Sequence, residues 1–99
     1  MRIRFEDGDL ERMHNDAGFR CRRFSSNIAR AIRRLLALIE EVPDQRDLRQ
    51  FKSLRLEKLK GNRAGQHSLR LNDQFRLIVR FEAMPHGQTC VVIEVVDYH

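Results

Sequence analysis

The sequence is short of several things. Only three of its 19 basic residues are lysine: Lys52, Lys58 and Lys60. Its two cysteines, Cys21 and Cys90, lie far apart and form no CxxC pattern. No apolar run is long enough to span a bilayer. The opening "MRIRFEDGDLERM" carries charge throughout, so no signal peptide is expected. Reduced thiols, a cytoplasmic location and no membrane association are the simplest reading. The four histidines have no paired ligand spacing and no neighbouring cysteine pair, so no metal site is expected. Gly61 and Gly65 in "KGNRAG" lack the Lys-Ser/Thr that follows in a phosphate-binding loop, and no cofactor is implied.

Within these limits, 99 residues make one domain, 1–99, with a single modest core. A hydrophobic content of 41% beside 33% charged residues reads as globular rather than disordered. The formal charge of +5 favours a polyanionic partner, nucleic acid first. The positive charge is also segregated. Residues 20–34 carry six arginines and no acid, whereas 6–16 are acidic. Residues 49–80 carry nine basic side chains against Glu57 and Asp73. The guanidinium fork suits phosphate oxygens. Genomic base composition would explain the Arg-to-Lys ratio but not the clustering.

"MRIRF" alternates and reads as a first strand. "DGDLERMHND" reads as a short helix capped by Asp7 or Asp9. "FSSNIARAIRRLLALIEEVP" is the strongest helix, capped by Ser25 or Ser26 and stopped at Pro43. Its apolar stripe is Ile28, Ile32, Leu35 and Ile39, and Arg30, Arg33 and Arg34 fall away from it. "DQRDLRQF" adds a turn behind Asp44. The period then changes. "LRLEKLKG" reads as a strand, "QHSLRL" as another, with Asn72-Asp73 as a two-residue hairpin turn. "QFRLIVRFE" and "TCVVIEVVDYH" follow, joined by a turn through Pro85 and Gly87. In the last strand simple alternation puts Val91, Ile93, Val95 and Asp97 on one face. This order gives an α+β fold, with helices packed on one face of a mostly antiparallel sheet.

Each candidate for chemistry has a plain reading. Lys60 alone is a solvated strand-end lysine, Arg76 an edge-strand arginine, Glu57 a surface acid. Tyr98 alone is a rim aromatic, and His99 a frayed end. Together they are what phosphodiester transesterification needs without a metal. Cations stabilise growing phosphoryl charge, an imidazole or carboxylate moves protons, and an aromatic ring stacks a base.

The string "RLEKLKGNRAGQHSLRLNDQFRLIVRFE", followed by a strand ending "VVDYH", resembles the HigB branch of the RelE/ParE toxin superfamily, the plasmid-maintenance killer proteins of bacterial toxin–antitoxin pairs. The resemblance covers residues 24–99 well and 1–23 loosely. It implies a RelE-like fold and an enzyme that enters the ribosomal A site and cuts mRNA there. The family's catalytic lysine falls on Lys60, its arginine on Arg76, and its acid, tyrosine and histidine on Asp97, Tyr98 and His99. Some members carry a histidine where this sequence has Glu57, which shifts proton transfer toward His99 and Asp97. The implied partner is a HigA-like helix-turn-helix antitoxin, with operator DNA reached only through that complex.

The mechanism this implies is metal-independent. The substrate 2′-hydroxyl attacks the adjacent phosphorus, with Lys60 and Arg76 stabilising the phosphorane. Arg22, Arg23, Arg30, Arg33 and Arg34 would grip ribosomal RNA phosphates. Two other classes stand beside it: a non-catalytic, ParE-like gyrase poison, and a toxin acting mainly as co-repressor with its antitoxin.

Overall fold

The computed structural model describes residues 1–98. The chain begins with strand β1 (Arg2–Phe5), followed by helices α1 (Gly8–Asn15), α2 (Ser26–Glu41) and α3 (Gln45–Arg49). A 3₁₀ turn, Lys52–Leu54, leads to β2 (Glu57–Lys58), a second 3₁₀ turn (Gly61–Arg63), β3 (His67–Arg70), β4 (Phe75–Met84) and β5 (Gly87–Asp97). The sheet order is β1-β5-β4-β3-β2. Only β1 runs parallel to its neighbour, β5; every other pair is antiparallel.

Local chemistry sets the helix ends. The Asp7 carboxylate accepts from the amides of Asp9 and Leu10 and starts α1. Ser25, rather than Ser26, caps α2 by accepting from Ile28 N. Asp44 and Asp47 form a reciprocal capping box on α3. The α2 stripe of Ile28, Ile32, Leu35 and Ile39 is buried as its spacing requires, and Leu36 joins it. These side chains meet Leu69, Leu77, Val79, Cys90 and Val92 from the sheet in one core cluster. Each fully buried Leu, Ile or Val side chain contributes roughly 1.5–3 kcal/mol, so this contact dominates the fold. Burial also pushes the Cys90 thiol up to about 12, so it packs as a small apolar group.

Three details depart from the sequence expectations. The strand expected from residue 54 shrinks to Glu57–Lys58, because Lys52–Leu54 winds into a 3₁₀ turn and Arg55 adopts a left-handed backbone (φ 45°). The expected two-residue turn at Asn72-Asp73 is a four-residue connection over residues 71–74. There the Asn72 side-chain oxygen accepts from Gln74 N (2.9 Å) and Phe75 N (2.7 Å), an Asx turn that alternation cannot reveal. Finally, a bulge shifts the β4–β5 register: Ile78 pairs with Glu94, but Val79 pairs with Val92, leaving Ile93 as the extra residue. Val91 therefore does not share a face with Val95. Val92 turns to the core and Val91 to the opposite face, beside Arg80 and Arg4.

The helices cover one face of the sheet. The other carries Arg76, Ile78, Arg80 and Glu82 on β4, with Glu94 and Val96 opposite them on β5.

Candidate active site

The helix-free face is a field of ion pairs with one end left cationic. Arg80 reaches Glu6 (3.4 Å) and Glu82 (3.0 Å), and Arg4 reaches Glu82 (3.2 Å). Charge there is therefore largely cancelled. Ile78 and Val91 sit buried beneath it. Arg76 stands at the second position of β4, next to the β3–β4 connection.

Arg76 is held by backbone. Its Nη1 donates to the carbonyl oxygens of Asn72 (2.7 Å) and Phe75 (3.2 Å). The guanidinium carbon lies 4.7 Å from the centroid of the Tyr98 ring, a cation–π contact. Tyr98 follows the end of β5 and is half exposed. Its backbone amide donates to Gln74 O (2.6 Å), so the β3–β4 connection anchors both partners. Gln74 Nε2 also donates to Asp97 Oδ2 (3.0 Å). Three of the sequence candidates, Arg76, Asp97 and Tyr98, thus gather around residues 72–74.

Lys60 is exposed and immediately precedes the Gly61–Arg63 turn. Gly61 takes φ 64°, which permits the sharp change of direction after the lysine. Arg63 N donates to Lys60 O (3.3 Å), and the Arg63 guanidinium reaches Glu94 (3.0 Å) on the helix-free face. That ion pair ties the Lys60 turn to the face that carries Arg76. Glu57 lies on β2 opposite Ser68 and is exposed. His99 lies outside the described residues.

The basic residues of the α1–α2 region divide into two kinds. Arg22, Arg30 and Arg34 are exposed. Arg23 instead bridges Asp7 (3.0 Å) and Asp9 (3.1 Å); bonding to Asp9 foremost raises its pKa further. Arg33 is turned inward. It donates to the carbonyls of Met13, Asp16 (3.3 Å) and Phe19 (2.6 Å), closing the α1–α2 connection. The expectation that charge on this helix faces outward as a block holds for Arg30 and Arg34 only.

Sequence reasoning passed over Asn72 and Gln74, the residues that place Arg76 and Tyr98. The signal present was "NDQF", an Asx-turn string read only as a tight turn.

This fold, with cations and an aromatic on the open face of the sheet, is that of the small RelE/ParE-type toxins. The YoeB/ParE toxin from Agrobacterium tumefaciens matches over 100% of both chains, with a TM-score of 0.60 at 19% identity. The YoeB–YefM complex from Staphylococcus aureus matches over 100% of this chain and 97% of that one, with a TM-score of 0.57 at 20% identity. The family model described as the RelE-like toxin of type II toxin–antitoxin system HigB matches residues 3–99. Toxin HigB-1 of Vibrio cholerae serotype O1 is 36% identical over 81 residues, covering 82% of this chain and 84% of that one. The chain belongs to the HigB-like toxins of type II toxin–antitoxin systems, within the RelE superfamily.

Proposed function

We propose that the protein is a ribosome-dependent mRNA endoribonuclease, acting in the cytoplasm as the toxin of its pair. The observation that carries this reading is the joint placement of Arg76 and Tyr98: a backbone-held guanidinium stacked at 4.7 Å on an exposed ring. A fixed cation next to a stacking surface suits a phosphodiester and its base.

In the proposed reaction the 2′-hydroxyl of the bound nucleotide loses its proton and attacks the neighbouring phosphorus. The 5′-oxygen leaves and takes up a proton, giving a 2′,3′-cyclic phosphate and a 5′-hydroxyl. Arg76 and Lys60 stabilise the pentavalent charge, and no metal is required for that task. His99 serves as general acid or base. Asp97 orients it or accepts the proton, and Tyr98 stacks the nucleotide. The ribosomal A site presents the mRNA in line, which so spare a site needs. Arg22, Arg30 and Arg34 contact ribosomal RNA, while Arg23 and Arg33 support the surface that presents them. A HigA-like helix-turn-helix antitoxin neutralises the toxin, and operator DNA is bound only through that complex. The antitoxin part is supported by the matching structure of a YoeB–YefM complex.

The test is induced expression with translation measured and mRNA ends mapped. Cuts within translated codons are expected, together with arrested protein synthesis. DNA double-strand breaks with intact mRNA would replace this reading with gyrase poisoning.

A further inference from the structure

Next to Arg76 a cleft of about 540 Å³ opens between the Lys52–Leu54 turn and the β3–β4 connection. Its walls are Lys52, Ser53, Arg55, Arg70, Asp73 and Arg76. Four cations thus face one carboxylate. Lys52 and Arg55 form no ion pair with another described residue, and both are exposed. Arg55 is the one described non-glycine residue with positive φ (45°). Left-handed backbone is strained for a branched or long side chain, and glycine is the usual occupant. Arg70 is paired with Asp73, whose side chain is 97% exposed. A carboxylate that open to water is a weak and displaceable partner. A second, smaller cleft shares Ser53 and Arg70 as walls and continues to Arg34 on α2. The remaining walls of this second cleft, Ala31, Leu35, Leu38, Leu54 and Leu71, are apolar, so Arg70 and Arg34 are its two cations.

We propose that this cleft binds the phosphodiester backbone of single-stranded RNA flanking the cut, with Lys52 and Arg55 on one phosphate and Asp73 as an internal anion that the RNA displaces from Arg70. The inference deepens the ribonuclease reading by assigning where the strand runs, and it rests on that reading for the identity of the strand. A single strand fits better than a duplex because the cleft abuts an exposed ring that requires an unstacked base.

The experiment measures binding of the full chain to a ten-nucleotide 2′-deoxy strand by fluorescence anisotropy across a salt series. Such a strand cannot be cut at a 2′-hydroxyl, so cleavage does not enter. Lys52→Gln and Arg55→Gln should each weaken binding, by about fivefold at low salt, and each should lower the log–log salt slope by about 0.7. Asp73→Asn should tighten binding, since it frees Arg70. Arg2→Gln, which removes the same charge from the far-edge strand β1, should change neither quantity. A duplex of equal length should bind more weakly than the single strand. The proposal is overturned if the wild-type protein shows no saturable binding, or if Lys52→Gln and Arg55→Gln behave like Arg2→Gln. Weakening by Asp73→Asn, or preference for the duplex, overturns it as well. Binding as expected with no mRNA cleavage during translation would leave the cleft standing and remove the ribonuclease reading instead.

Discussion

The Arg76 guanidinium lies 4.7 Å from the Tyr98 ring centroid, and one connection places both residues. Asn72 O holds the arginine, and Gln74 O holds the tyrosine's backbone. Arg76→Ala should lower mRNA cleavage by about 10²–10³-fold, the scale of losing one charge-stabilising donor. Tyr98→Phe keeps the ring and should retain most activity. Tyr98→Ala should not. Equal loss in both tyrosine variants would mean that the hydroxyl, not the stack, matters. The measurement is cleavage of mRNA on programmed ribosomes.

Asn72 acts as a positioning residue through its side-chain oxygen, which accepts from Gln74 N and Phe75 N. Asn72→Ala leaves the carbonyl that Arg76 uses but releases the turn, at a cost of about 1 kcal/mol in stability. Turnover should fall further than that stability change accounts for. Asn72→Asp should restore both, because a carboxylate accepts the same two amides. A Tm series beside kcat and KM separates the two effects.

Removing His99 should reduce toxicity by ~10²–10⁴-fold if it supplies proton transfer. Lys60→Ala should be damaging and Glu57→Ala mild. Growth arrest on induction reads the effect. Circular dichroism and antitoxin binding confirm that the fold persists. A fully toxic protein lacking His99 would remove it from the mechanism.

The arginines of α2 should separate by role. Arg33→Gln leaves the carbonyls of Met13, Asp16 and Phe19 without their cationic donor and should cost about 1–3 kcal/mol in urea unfolding. Arg30→Gln and Arg34→Gln should barely change stability. They should instead weaken ribosome binding and flatten its salt dependence. If all three variants behave alike, the inward placement of Arg33 has no energetic consequence.

His67 should make stability sensitive to acid. Its Nδ1 is buried with no hydrogen-bond partner among the described residues, and the ring packs edge-on against Phe81 at 5.1 Å. Burial foremost, then the charges of Arg49 and Lys58, lowers its pKa below the usual 6.5. The unfolded chain therefore takes up this proton more readily than the folded one. Above pH 6.5 both states are neutral and the contribution is complete; it declines as pH falls below 6.5 toward the lower folded value. The Tm difference between wild type and His67→Leu should accordingly shift against the wild type between about pH 7 and pH 5. A difference that stays constant with pH would show that His67 protonates equally in both states.

Periodicity alone determined much of this protein. The α2 stripe of Ile28, Ile32, Leu35 and Ile39 could be buried only as a helix, and the Ser25-Ser26 pair and Pro43 marked its ends. The alternation of Phe75, Leu77 and Val79 required a sheet with one covered face. The string from Arg55 to Glu82, with "DYH", carried the family resemblance. Tertiary structure decided the rest, because those features depend on partners distant in sequence. Whether Val91 or Val92 enters the core depends on a bulge against β4, which period-two counting cannot register. Whether an arginine is free or committed depends on what folds beside it. Arg33 meets three carbonyls across the α1–α2 connection, and Arg30, three residues earlier, remains exposed. The cleft of Lys52, Arg55 and Arg70 joins a 3₁₀ turn, which ends on the left-handed Arg55, to side chains of the β3–β4 connection. Charge can be counted from a sequence, but its convergence on one site is a property of the folded chain.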